Sequence, residues 1–159
     1  MLVGVGGAAL VALLDLAVCA PRTSGLQLAV PAAAPPAWTG ITSAVYGGID
    51  EEIMLRLGLM TFFVWLGSRL NKTTPPVSSV LWAANILAAL LFGLLHLPAT
   101  AAIAPLTPVV IARAIVLNGL EGVAFGWLYW RKGLESAVVA HFSSDLVLHA
   151  VLPLVASEL

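Results

Sequence analysis

The sequence predicts an all-α fold: a polytopic membrane bundle of about five transmembrane helices around a polar intramembrane cavity. Three observations carry this. The chain has 159 residues, 60% of them hydrophobic and only 9% charged, where a soluble domain carries roughly 25% charged residues. Mean hydropathy is +1.02. The apolar runs are continuous and long enough to cross a bilayer core of roughly 30 Å, and they lack the alternation of a β-barrel strand. With a net charge of −1 there is no clustered basic surface for nucleic acid. The single cysteine, Cys19, excludes an internal disulfide and a multi-cysteine metal site.

Five segments qualify in chain order: residues 2–20, about 41–69, 78–98, 108–130 and 134–157. The first ends in small residues, as a signal peptide does, but it lacks a basic start and carries Asp15; it reads as a retained helix. The connections are "PRTSGLQLAVPAAAPPAWTG", "NKTTPPVSS", "PATAAIAP" and "RKGLE", marked by proline and polar clusters. Residues 1–43 are expected to form an N-terminal helix and loop, and residues 44–157 a helix bundle. Arg69, Lys72, Arg131 and Lys132 fall on one side and Arg22 on the other, which makes the former side cytoplasmic. Trp127, Tyr129 and Trp130, beside Arg131 and Lys132, form the aromatic belt of an interface.

The charged residues inside the spans are the functional signal. They are Asp15, Asp50, Glu51, Glu52, Arg56, His96, Arg113, Glu121, His141, Asp145 and His149. A charged group at a helix centre costs about 2.5–3.5 kcal/mol on insertion scales, so such groups face a bundle interior or a wet cavity. Six acids stand against two arginines. Four acids therefore lack a permanently charged partner and must be protonated, near histidine, hydrated or holding a cation.

Helical spacing sorts the set. In "GGIDEEIMLR", Glu52 and Arg56 are four apart on one face, with the acid first, the favourable order. Glu51 lies about 140° around at the α-helical period, so Arg56 does not neutralise it. One acid is clamped and one is free; Asp50 reaches the interface. Gly47 and Gly48 leave the backbone bare for another helix or a substrate. Phe92 and His96 share a face, and Pro98 closes that helix. His141, Asp145 and His149 line one stripe of the last span. Arg113, Asn118 and Glu121 read as packing and counter-charge residues.

A glutamate and histidines on separate helices can activate water, while donors elsewhere stabilise the oxyanion of a tetrahedral intermediate. There is no HExxH pattern. No serine sits in a nucleophile-elbow pattern, and Cys19 is distant along the chain.

Three islands, "EEIMLR", "FGLLH" and "HFSSD", together resemble the CAAX-protease and bacteriocin-processing (CPBP/Abi) family of intramembrane glutamic endopeptidases, the prenyl-protein type 2 proteases. That family shows EExxxR, FxxxH and HxxxN or HxxxD in this order. The run "FGWLYWRKGLESAVVAHFSSD" adds to a likeness covering about residues 44–150.

The resemblance implies Glu51 as general base, His96 positioning the water, and His141 with Asp145 as oxyanion site. Glu52, Arg56, Phe92 and His149 are supporting residues. It implies no cofactor and no metal, although two histidines and carboxylates are also zinc-ligand types. The implied partners are the lipid bilayer and a membrane-protein or lipidated-peptide substrate, in the plasma membrane of a prokaryote. Asparagine is common in the family where this chain has Asp145. An ionised aspartate only accepts hydrogen bonds, so Asp145 either donates in a protonated state or orients His141 or His149.

Two other classes fit the composition: a proton- or cation-coupled transporter and a non-catalytic immunity or regulatory protein. Few spans and no repeated half weigh against the transporter. Depth is a further constraint. Straight helices with level ends put His141 nearer the basic side than Glu51 and His96. Tilt, a later start of the last span or a deep conical cavity is then required.

Overall fold

The computed structural model describes residues 1–19 and 37–157; Arg22 and most of the first connection lie outside these. The described chain is helical throughout, with no strand among the described residues. Five helices follow in order: α1 (Leu2–Val18), α2 (Trp38–Asn71), α3 (Ser78–Ala101), α4 (Pro108–Lys132) and α5 (Leu134–Val155). The last four are long and apolar enough to cross a membrane; α1 is shorter. The protein is an integral membrane bundle.

Local chemistry sets the helix ends. Lys72 takes a left-handed conformation (φ 53°) after α2, and two prolines at 75 and 76 prevent continuation. Thr107 accepts a hydrogen bond from the Val110 amide at 3.3 Å, and Pro108 occupies the first turn of α4, where its missing N–H costs nothing. Gly133 ends α4 at φ +96°, a region closed to most side chains. Pro98 does not close α3. A turn at His96 breaks the helix, and Leu97–Ala101 continues as a short helical piece with the proline in its first turn.

α5 is the centre, touched by α1, α2 and α4, while α3 packs on α4 and on the second half of α2. Small residues permit this. A Cβ on Gly4 would overlap the Ala140 carbonyl, and one on Gly48 would lie 2.9 Å from the Phe142 Cβ. Without a hydrophobic force between helices in lipid, such close backbone packing is a main source of association.

The helix ends are not level, and this resolves the depth constraint. The Tyr129 hydroxyl, in the last turn of α4, hydrogen-bonds the Thr61 hydroxyl at 2.8 Å. Trp130 meets Trp82 edge-on at 5.5 Å between centroids. The residues from Thr61 to the end of α2 then extend about 15 Å further at 1.5 Å per residue. The α2–α3 hairpin outreaches the α4–α5 turn, so His141, early in α5, stands level with Glu52, late enough in α2. Neither a later start of α5 nor a conical cavity is needed.

Candidate active site

The acidic stretch of α2 is wound more loosely than an α-helix. Gly47–Glu51 and Ile53–Met60 both take the wider π-helical form, as do Asp15–Cys19 in α1 and Val147–Val151 in α5. Such widenings concentrate at functional sites, and each of these stretches carries an ionisable residue. Although 100° per residue does not hold here, Arg56 still pairs with Glu52 and not with Glu51.

Glu52 and Arg56 are both fully buried, with Arg56 Nε donating to Glu52 Oε2 at 3.1 Å. The other carboxylate oxygen, Oε1, accepts from His141 Nδ1 at 2.9 Å. One carboxylate therefore ties α2 to itself and to α5. The Arg56 guanidinium carbon lies 5.5 Å from the Phe92 ring centre. Glu51 has no arginine partner among the described residues; its side chain keeps 19% exposure, and its Oε2 lies 3.7 Å from His141 Nε2.

Hydrogen bonding fixes the ring orientations. His96 Nδ1 lies 2.8 Å from the Phe92 carbonyl. A carbonyl only accepts, so Nδ1 carries the hydrogen and a neutral ring leaves Nε2 as an acceptor. His141 commits Nδ1–H to Glu52, and its Nε2 stands between Glu51 and Asp145 Oδ2, the latter at 3.6 Å. Asp145 Oδ1 is 4.0 Å from Nε2 of His149. Neither Asp145 distance is a hydrogen bond. Glu52, not Asp145, orients His141. His149 is half-exposed.

Glu51, Phe92, His96, His141, Asp145 and His149 all line one cavity of about 290 Å³, which also touches Gly47, Arg113, Asn118 and Glu121. Gly47 is needed there, because a Cβ would overlap Asp145 Oδ2 and lie 3.1 Å from His141 Nε2. Glu52 and Arg56 do not line the cavity; they stand behind it. Asp50 is exposed, in keeping with an interfacial position. Among the described residues no three His, Cys, Asp or Glu side chains converge as metal ligands.

The charge count resolves as the composition requires. Arg56 takes Glu52. Arg113 takes Asp15 in a two-pronged contact, Nε to Oδ1 at 2.5 Å and Nη2 to Oδ2 at 2.7 Å. Among the described residues the other four of the six acids have no arginine partner: Glu51, Glu121 and Asp145 face the cavity, and Asp50 is exposed. Glu121 accepts a hydrogen bond from the Ser144 hydroxyl.

Sequence reasoning passed over two residues. Phe125, fully buried, stacks on His141 at 4.7 Å with an interplanar angle of 23°, while Phe92 meets the same ring edge-on at 5.5 Å. The signal for Phe125 was its position four residues after Glu121, on the same face of α4. Ser144 carried no signal, because a serine one residue from Asp145 is indistinguishable from a packing residue until α4 is placed.

A family model described as type II CAAX prenyl endopeptidase Rce1-like matches residues 33–147. No curated protein and no solved structure matches the chain.

Proposed function

We propose that this chain, which belongs to the Rce1-like family of type II CAAX prenyl endopeptidases, is an intramembrane peptidase that hydrolyses a peptide bond with water activated by Glu51. One observation carries the reading. Of the two neighbouring glutamates of α2, Glu51 is the one that Arg56 leaves alone and that faces the cavity, beside His141 and in the space that His96 also lines.

The chemistry follows from the hydrogen-bonding roles. A water between Glu51 and His96 gives one O–H to the carboxylate and the other to the free Nε2 of His96, leaving a lone pair for the carbonyl carbon. Glu51 takes the first proton as the oxygen–carbon bond forms. The tetrahedral oxyanion collapses, the C–N bond breaks, and the proton held on Glu51 passes to the leaving amine. General acid–base catalysis of this kind contributes about 10²–10⁴-fold.

His141 is the proposed oxyanion donor. With Nδ1–H committed to Glu52, donation from Nε2 requires the imidazolium form. Asp145 donates beside it when protonated. Phe92 and Phe125 hold the imidazole plane, and Arg56 holds Glu52.

A lipidated peptide or membrane-protein segment is the proposed substrate, by analogy with the family's description and with the lipid-facing surroundings of the site. Purified chain in detergent is offered a farnesylated peptide with a CAAX end, beside the Glu51→Gln and His96→Ala variants. Cleavage by the unaltered chain and its loss in both variants is expected. Equal turnover by all three overturns the reading. Proteoliposome flux that needs Glu51 without cleavage would replace it with the transporter.

A further inference from the structure

Arg113 is the one permanently charged cation among the described residues lining the cavity, where it shares the wall with Glu51, Glu121 and Asp145. Its partner Asp15 is fully buried and does not line the cavity. Asp15 comes from α1, outside the stretch matched by the family model. The ion pair uses Nε and one hydrogen of Nη2. A guanidinium has five N–H donors in a planar fork, so the other edge, Nη1 with the second hydrogen of Nη2, is uncommitted. That edge is not sealed in protein, because the side chain keeps 14% exposure and Nη1 is not among the buried partnerless atoms that include both terminal nitrogens of Arg56.

The two arginines differ on this point. Arg56 has fully buried terminal nitrogens and stands behind the cavity, a structural placement. Arg113 is clamped along one edge and free along the other, and it lines the cavity that Glu51, Glu121 and Asp145 also line. The clamp matters because a planar fork selects its partner by angle as well as charge. Asp15 fixes that angle from a third helix.

We propose that the free edge of Arg113, held at its angle by Asp15, binds the terminal carboxylate of the peptide substrate in the cavity. The proposal rests on the peptidase reading and assigns it a specificity residue. The carboxylate fits on three grounds. Its two oxygens match the fork. A negative end finds in this guanidinium the one permanent positive charge among the described residues lining the cavity. A cavity of about 290 Å³, at the small end of ligand sites, suits a chain end better than the middle of an extended segment. Asp15 is then a positioning residue, acting on substrate through Arg113.

The test measures binding and cleavage separately, in the full chain. A dansylated, farnesylated CAAX peptide is made as the free acid and as the C-terminal amide. Binding of both is read by fluorescence in the Glu51→Gln background, and KM and kcat in the chain with Glu51 intact. Arg113→Lys keeps the charge and the Asp15 contact but loses the fork; Asp15→Asn keeps Arg113 but loosens its angle.

Both are expected to weaken binding of the acid by about tenfold, the scale of one charge-assisted hydrogen bond, while leaving the amide unchanged. In cleavage the loss falls on KM, with kcat little altered. Equal weakening of acid and amide, or none in a variant with unaltered melting, overturns the proposal. A purely structural ion pair would alter melting without altering the acid-to-amide ratio. Absence of cleavage by the unaltered chain overturns the peptidase reading instead, and the binding ratio still reads the Arg113 site.

Discussion

Glu51 and Glu52 are the same side chain one peptide bond apart, and packing gives them opposite surroundings. Glu52 is dry and saturated by Arg56 and His141; Glu51 opens to the cavity. Glu51→Gln is therefore expected to lower kcat at least about 100-fold with melting unchanged, as measured by peptide turnover and thermal unfolding in detergent. Arg56→Met should fail differently. It leaves Glu52 as a buried, half-paired charge, a defect worth roughly 3–5 kcal/mol, so unfolding falls first and activity with it. Asp145→Asn is expected to retain turnover, since an amide donates a hydrogen bond without needing a proton. Loss of turnover at normal protein levels would remove Asp145 from the oxyanion site and assign it a charge role. The Glu52–Arg56 pair was legible from four-residue spacing. The Glu52–His141 bond was not, because nothing along the chain relates positions 89 residues apart.

Within the helices, the glycines that begin the loosened winding of α2 are what let α5 come near. Gly47 meets Asp145 and His141, and Gly48 meets Phe142. Gly47→Val should push α5 away and lower both unfolding temperature and turnover. Gly6→Ala, where an added Cβ meets nothing within 4 Å, should leave both unchanged and serves as the control. Equal behaviour of the two variants would mean that the close approach of α2 and α5 is not required. The glycine pair was read from the sequence as a place of close approach, but not which helix approached. The π-helical stretches were invisible to a wheel with one fixed period, because backbone winding answers to neighbours that the local sequence does not contain.

For the whole bundle, the basic residues at the ends of α2 and α4 emerge at the same end, since both helices run in one direction. Cysteines replacing Lys72 and Lys132 in a Cys19→Ser background should react with an impermeant maleimide from one side of the membrane. A cysteine replacing Ile103, which is 79% exposed between α3 and α4, should react from the other. Labelling of Lys72 and Ile103 sites from one side would break the topology. That these basic residues share one end of the bundle was legible, because alternating spans place the ends of α2 and α4 together. The unequal reach of the α2–α3 hairpin was not, because helix ends read from composition carry no mutual offset.

Hydropathy determined that this chain is a helical membrane bundle, since lipid tolerates only apolar, internally hydrogen-bonded spans. Spacing and charge balance determined that one glutamate is clamped while others lack an arginine. Tertiary structure alone decided which carboxylate holds His141, which aromatic ring lies against it, and that a helix before the matched stretch anchors the cavity arginine. Those choices depend on the offset and rotation of helices packed against one another, and contacts between distant segments set them where no local periodicity can.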